Sequence, residues 1–195
     1  MTLTEGRVTL RPLRVRDEQA WSEIRRNAPG WFQPWDATRP RESKEPLLNF
    51  AQMVRKYQAR AKAGTMLPWG VHYASASGGR PVFVGQVTVS GITSGSASWG
   101  MIGYWIGPRW AGQGIIPLAV AMACDHCFQT VGLHRLEIAI RPENSNSLAV
   151  ARKLGFRHEG RRQRYMHVDG DWRDHEMFAL HCEEVPDGLV RRLVR

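Results

Sequence analysis

Cysteine is scarce and odd in number, three in 195 residues. An odd count excludes a fully paired disulfide framework. Cys124-x-x-Cys127, with His126 between them and Cys182 far away, has no second pair to complete a zinc set, so no metal is expected. Both cysteines fall in an apolar helical run and read as small buried hydrophobes. Long apolar runs are missing too: the longest, 115–124, stops at Asp125, well short of the ~20 residues of a membrane-spanning helix. The opening MTLTEGRVTLRPL lacks the basic-then-apolar pattern of a secretion signal, and a cytoplasmic location is the expectation. Acidic residues are outnumbered, 18 against 27 Lys and Arg, for a formal net charge of +9. That surplus favours anionic partners such as nucleotide phosphates, RNA or acidic proteins without choosing among them. It concentrates in Arg152, Lys153, Arg157, Arg161, Arg162 and Arg164, which read either as solvated surface or as a binding patch.

What is present suits one domain with a full core, spanning 1–195 with its body at about 7–182. Alternation over 7–14 predicts a strand. Asp17 starts a helix over 17–28, which Pro29-Gly30 ends. Trp31, Phe32 and Trp35 then crowd a Pro-containing loop, as core packing or as one wall of a binding site. Ser43 caps a helix over 43–62, with Leu47, Phe50, Val54, Tyr57 and Ala61 on one stripe. Strands follow at 67–76, 81–92 and 97–106; the first two are joined by a Ser77-Gly78-Gly79-Arg80 turn, and Gly85 stands at a candidate bulge. Residues 81–92 bury either Phe83 with Val87 or Val82 with Val84. A helix over 114–131, apolar on nearly every side, is expected to be buried. In 134–141, Leu136, Ile138 and Ile140 face one way, and Arg135, Glu137, Ala139 and Arg141 the other. Asn144 opens a short helix that Gly155 closes. Asp169-Gly170 turns a final hairpin of 156–168 with 172–182. The basic tail at 189–195 is expected to be loosely held.

The chain is organised around 103–156, where an aromatic strand runs into Arg109-x-x-Gly112-x-Gly114 and then a helix. Glycines let a backbone approach a ligand closely. A helix N-terminus presents free N–H groups and the positive end of its dipole, which suits a phosphate or pyrophosphate. Gly-rich turns also end strands for structural reasons alone, so the turn needs its context.

That context is the order Tyr104-Trp105-Ile106, the glycine turn, a helix, a strand, Asn144-x-x-Ser147, and Lys153-Leu154-Gly155-Phe156. It resembles the GCN5-related N-acetyltransferases (GNAT), and within them the RimJ/RimL type, the ribosomal-protein alanine N-acetyltransferases. The resemblance covers about 7–180. It implies an α/β (α+β) single-domain fold, with a mixed, mostly antiparallel central sheet, two splayed parallel strands and flanking helices. It implies acetyl-CoA as co-substrate. The pantetheine arm would lie against backbone groups of Trp105 and Ile106. The pyrophosphate would lie on backbone groups of Trp110, Ala111, Gly112, Gln113, Gly114 and Ile115, with Arg109 either adding a charge contact or only shaping the turn, and Asn144 and Ser147 would stand beside the splay. It also suggests that the Ser147 hydroxyl protonates the leaving thiolate. Many members place a tyrosine one turn later for that job; here the position is Ala151, which moves weight to Ser147. RimJ-type chains carry a Pro-Trp on the acceptor side, which assigns Trp31, Phe32 and Trp35 to substrate contact.

The general base has no clear signature. Glu137 is the best candidate, with an ion pair to an Arg such as Arg135 as the equal alternative. An α-amine has a pKa of about 7.7–8.0 and needs less help than a lysine at about 10.4. The expected activity is therefore acetyl transfer to a protein N-terminal amine, Ala or Ser, as on a ribosomal protein. Acetylation of a small amine (an aminoglycoside or polyamine) and a non-catalytic module binding coenzyme A or RNA are the alternatives. Ribosome or RNA contact through the basic surface goes with the first. The oligomeric state is not legible.

Overall fold

The computed structural model describes residues 1–76 and 78–194. Eight strands form one mixed sheet: β1 (Leu3–Glu5), β2 (Val8–Pro12), β3 (Met66–Tyr73), β4 (Val82–Thr93), β5 (Trp99–Ile106), β6 (Arg135–Ile140), β7 (Arg157–Val168) and β8 (Asp171–His181). Their spatial order is β1-β2-β3-β4-β5-β6-β8-β7. Every pairing is antiparallel except β5 with β6. The expected class, a mixed and mostly antiparallel sheet with one splayed parallel pair, is what is found. Parallel pairing joins only Trp99–Met101 to Arg135–Glu137. Beyond Met101 the two strands part.

Helix α4 (Ile115–His126) covers one face. Ile115, Ile116, Ala119, Val120, Met122 and Cys124 pack there against Val8, Leu10, Val71, Val87, Val89, Ile102, Leu136 and Ile138. Burial pushes the Cys127 thiol up to about 12 and raises that of Cys124. On the other face α1 (Glu18–Arg26) and α3 (Phe50–Lys62) close a smaller cluster of Leu13, Phe50, Val54 and Phe83, with Trp21, Ile24 and Trp105 against it. β4 serves both clusters. Val71 pairs with Gly85 but His72 pairs with Phe83, so Val84 is the extra residue of a bulge. The bulge shifts the alternation, and Phe83 and Val87 are both buried, on opposite faces. It lies at Val84, beside the expected Gly85, and neither two-residue pattern read from the sequence describes the whole strand.

Other boundaries move for identifiable reasons. α3 begins at Phe50, not after Ser43. Asn49 and Gln52 form a reciprocal cap at 2.9 and 3.0 Å. Pro46 disfavours helix for the residue before it, and Leu47 lies exposed. The helix after Gly114 is α only to His126, and a π turn carries it through Val131. A strand precedes the first expected one, β1, turned by Gly6 at φ 52°. The tail is not loose: α6 (Leu189–Val194) buries Leu189 completely. The Asp125 carboxylate accepts the N–H groups of Leu189 and Val190 at 2.6 and 3.0 Å. Of the expected turn 77–80, Ser77 lies outside the described residues, as does Arg195 of the tail.

Gly85 is required by contact. A Cβ there would stand 2.3 Å from the Trp105 carbonyl oxygen, which cannot yield without parting β4 from β5. Gly85→Ala is expected to destabilise the fold by about 1–3 kcal/mol, a fall in Tm of roughly 2–4 °C per kcal/mol. Gly30→Ala, in open space on the short helix α2 (Pro29–Phe32), is expected to hold or slightly raise Tm. Thermal melts of the two variants check both.

Candidate functional site

The parting of β5 and β6 opens a cavity of about 290 Å³ lined by residues of both strands. Ile102, Tyr104, Ile138 and Ile140 form its throat, and Asn144 and Ser147 its wall at the start of α5 (Ser145–Lys153). Trp35, Met101, Arg141, Met166, Val168 and His175 complete the lining and form its mouth beside the last hairpin.

β5 presents a partly bare edge to this gap. The Gly107 N–H bonds Val84 O on β4, and the Ile106 carbonyl accepts the Trp31 indole N–H at 2.9 Å. By the alternation of an antiparallel ladder, Ile106 and Tyr104 turn their peptide groups to the gap, and Trp105 turns its own to β4. Of the two residues expected to hold a pantetheine arm, Ile106 therefore faces the gap and Trp105 does not. The Trp105 ring packs instead on Phe32 and Trp21, with centroids 5.4 and 6.2 Å away.

The glycine turn is open where it was expected to be. Gly112 and Gly114 sit at φ 76° and 75°, with nothing within 4 Å of where a Cβ would stand. Trp110 and Ala111 donate their N–H groups to Gly107 O and Pro108 O. Those of Gly112, Gln113, Gly114, Ile115 and Ile116 have no protein acceptor among the described residues. The free donors thus run from Gly112 into the first turn of α4, one residue beyond the expected set, and Trp110 and Ala111 drop out of it. Pro117, which has no N–H, costs nothing in that turn. Arg109 stacks over Trp110 at 5.8 Å, and its carbonyl accepts from the Gln113 side chain at 3.0 Å.

Asn144 caps α5 by accepting the Ser147 N–H at 3.1 Å. The Tyr104 hydroxyl donates to the Ser147 carbonyl at 3.2 Å. Burial pushes that phenol up to about 12. Ser147 is thus held through its backbone from two sides, and its own hydroxyl has no protein partner among the described residues. Ala151 is buried in the core beneath. Glu137 is not on the cavity wall. Arg135 donates to one of its oxygens at 2.8 Å, Arg162 stands 4.0 Å from the other, and that second oxygen is buried without a hydrogen bond.

The three aromatics after α1 separate. Trp35 lines the mouth, with Arg141 over its ring at 5.5 Å. Trp31 is a tether to Ile106. Phe32 is buried, and it lines a separate open groove of about 740 Å³ with Trp21, Arg25 and Asp36. Three wall residues, Met166, Val168 and His175, come from the last hairpin and are not anticipated by the sequence reading. The signal that brings them is Asp169-Gly170: with φ of 50° and 77° it folds β7 onto β8, and Ala37 bridges Val168. Tyr165 packs edge-on against His175 and Asp174 accepts the Arg164 N–H at 2.9 Å, so both support this wall. The basic series is partly engaged in pairs: Arg157 with Glu184, Arg161 with Glu176.

The profile of the Acetyltransferase (GNAT) domain matches residues 7–157. The chain belongs to the GNAT acetyltransferases. It is similar to the solved structure of Mycobacterium smegmatis RimJ in complex with CoA-disulfide: 40% identity, TM-score 0.86, 96% of this chain and 88% of that one covered. It is 27% identical over 180 residues to the [Ribosomal protein uS5]-alanine N-acetyltransferase of Escherichia coli, covering 91% and 89% of the two chains. It is 26% identical over 173 residues to the probable N-acetyltransferase YjcK of Bacillus subtilis, covering 89% and 93%. No described helix is long and apolar enough to cross a membrane.

The open glycines generate a test with acetyl-CoA as ligand. Gly112→Val is expected to cost about 1–2 kcal/mol in backbone strain and to abolish the rise in Tm that acetyl-CoA gives the wild type. Gly91→Val, at φ 63° and equally open but far along the chain from the turn, is expected to carry similar strain and keep the acetyl-CoA shift. Differential scanning fluorimetry of both separates strain from exclusion.

Proposed function

We propose that the protein transfers the acetyl group of acetyl-CoA to an N-terminal α-amine of a protein, with Ala or Ser first. The observation that carries the reading is the cavity through the splay. It joins a wall holding Asn144 and Ser147 to a mouth holding Trp35 and Arg141. Acetyl-CoA would enter along the free N–H groups of 112–116, lay its arm on the Ile106 edge, and bring its thioester to Ser147. The acceptor would enter from the Trp35 side. Similarity to the RimJ of Mycobacterium smegmatis and to the uS5-alanine enzyme supports both halves.

The mouth bears on the choice of amine. Its described wall holds Arg141 and His175 and no carboxylate. A polyamine carries several positive charges, and a site for it would be expected to supply acid groups. A peptide brings one amine and a chain of amides. A cavity of about 290 Å³ favours an N-terminal residue with a small side chain. The ribosome or another RNA-rich assembly is the partner suggested by the net charge of +9 and the basic residues around β7.

Ser147 protonates the departing thiolate in this reading. Ser147→Ala is expected to lower kcat about 10²-fold, in the range typical of a lost proton donor, with the acetyl-CoA Kd unchanged. An unaltered kcat in single-turnover kinetics would reduce Ser147 to its place in the helix cap.

Trp35→Ala is expected to raise KM for an Ala-starting peptide at least several-fold and leave KM for acetyl-CoA as it is. Steady-state kinetics should use peptides with Ala, Ser and Met starts, spermidine and an aminoglycoside. Turnover of the small amines with none of the peptides would move the activity to the small-amine class.

A further inference from the structure

The acceptor nitrogen must shed a proton as it becomes an amide, and the cavity wall carries one group equipped to take it. We propose that His175 is the general base, with its Nε2 accepting the proton that the neutral acceptor amine gives up as it attacks at the mouth of the splay. This rests on the acetyl-transfer reading above and supplies the base that the reading lacks.

His175 lies on β8 one residue past the end of its pairing with β6, where Ile140 meets Glu176, and so at the open end of the gap. It is 3% exposed and lines the same cavity as Ser147. Its Nδ1 is 3.0 Å from the Arg173 carbonyl. Only an N–H can bond a carbonyl, so Nδ1 carries the ring proton and Nε2 keeps a lone pair. The groups around it favour the neutral ring. Burial is the largest influence and lowers its pKa; the Arg173 carbonyl opposes, Arg141 lowers it further, and Asp174 and Glu143 oppose. Arg162 is its neighbour across β7, and the Tyr165 ring meets it edge-on at 5.9 Å. The two carboxylates are engaged elsewhere, Glu143 with Arg141 and Asp174 with the Arg164 N–H. A neutral, fixed tautomer with an open lone pair is the form a base needs. Glu137, the rival, is off the wall and bound to Arg135.

The balance is complete. The ammonium gives its first proton to water, and the free amine attacks the thioester carbonyl carbon. The tetrahedral adduct breaks its C–S bond. The nitrogen gives its second proton to Nε2 as the amide forms, and the thiolate takes one from solvent through the Ser147 hydroxyl. Nε2 returns its proton to solvent, leaving amide and thiol.

The test is His175→Gln against Glu137→Gln, with whichever amine of the panel above the wild type acetylates. A failed peptide reading thus does not remove the assay. Expected for His175→Gln is a loss of kcat of about 10²-fold or more, with the acetyl-CoA melting shift kept as proof of fold. The pH profile is the specific readout. At acid pH the wild type must lose two protons, from the amine and from His175, so log kcat/KM falls with a slope near 2. His175→Gln should give a slope near 1, and Glu137→Gln should keep 2. A slope near 1 in the wild type, or a His175→Gln enzyme within threefold of it, overturns the proposal. ¹⁵N NMR of the histidines in the wild type needs neither variant nor acceptor. It is expected to show His175 neutral with Nδ1 protonated at pH 7; an Nε2–H tautomer or an imidazolium there also overturns it.

Discussion

Past Met101, β5 has no strand on its β6 side, and that side faces the middle of an eight-stranded sheet. Peptide groups left bare inside a protein cost about 1–3 kcal/mol each. The fold offsets part of that cost without closing the gap. The Trp31 indole takes the Ile106 carbonyl, and the Tyr104 phenol spans the throat to the Ser147 carbonyl. What remains bare is a line of amide-binding groups leading to Ser147. The same bare edge that a ligand arm can satisfy would otherwise be a defect, so the site and the instability of the unliganded sheet have one origin.

The segment 31–38 is the second consequence. It is tied to both lips of the gap and to the last hairpin: Trp31 to Ile106 on β5, Pro34 O to Arg141 past β6 at 2.6 Å, and Ala37 to Val168 on β7. Thr38 adds its N–H to the His167 carbonyl at 2.9 Å. A loop fastened to β5, to Arg141 just past β6 and to β7 spans the mouth. Arg141 does two things there, holding Pro34 and roofing the Trp35 ring, so the aromatic at the mouth is held rather than free to swing.

Much of this is legible in the sequence, and what is not has particular causes. The order of elements, the glycine turn and the Asn144 cap are local patterns, and local patterns read well. Ser43 fails as a cap because Pro46 intervenes, while the true signal, Asn49-x-x-Gln52, lies inside the expected helix. The tail looks loose in sequence because its anchor, Asp125, is distant along the chain and caps α6 only once α4 is in place. Gly188, at φ 85° and with any Cβ there bound to stand 2.9 Å from that carboxylate, marks the contact afterwards but not beforehand. Trp105 reads as cofactor backbone because alternation cannot be phased without knowing which neighbour a strand faces. His175 stays hidden for a like reason: nothing within 172–182 says which face meets the gap, and it is the β6–β8 register that brings it there.

The electrostatics of the mouth then limit the acceptor. Arg141 and the neutral His175 give an ammonium no counter-charge on the described wall, so the amine is expected to bind or react in its neutral form. For an α-amine of pKa about 7.7–8.0, roughly one molecule in ten is neutral near pH 7; for a lysine at about 10.4, a few in ten thousand. The difference, about 2.5 pKa units, is about 3.5 kcal/mol that a lysine acceptor would add to the barrier. A buried carboxylate at the mouth would offset some of it; the described wall has none, and the buried Glu137 is already bonded to Arg135. A neutral imidazole with a lowered pKa is a weak base. It suffices for an amine that sheds its proton near neutrality, and it is poorly matched to one that holds it to about pH 10. The proposed choice of α-amine over side-chain amine thus rests on the same absence of acid groups from the described wall that argues against polyamines.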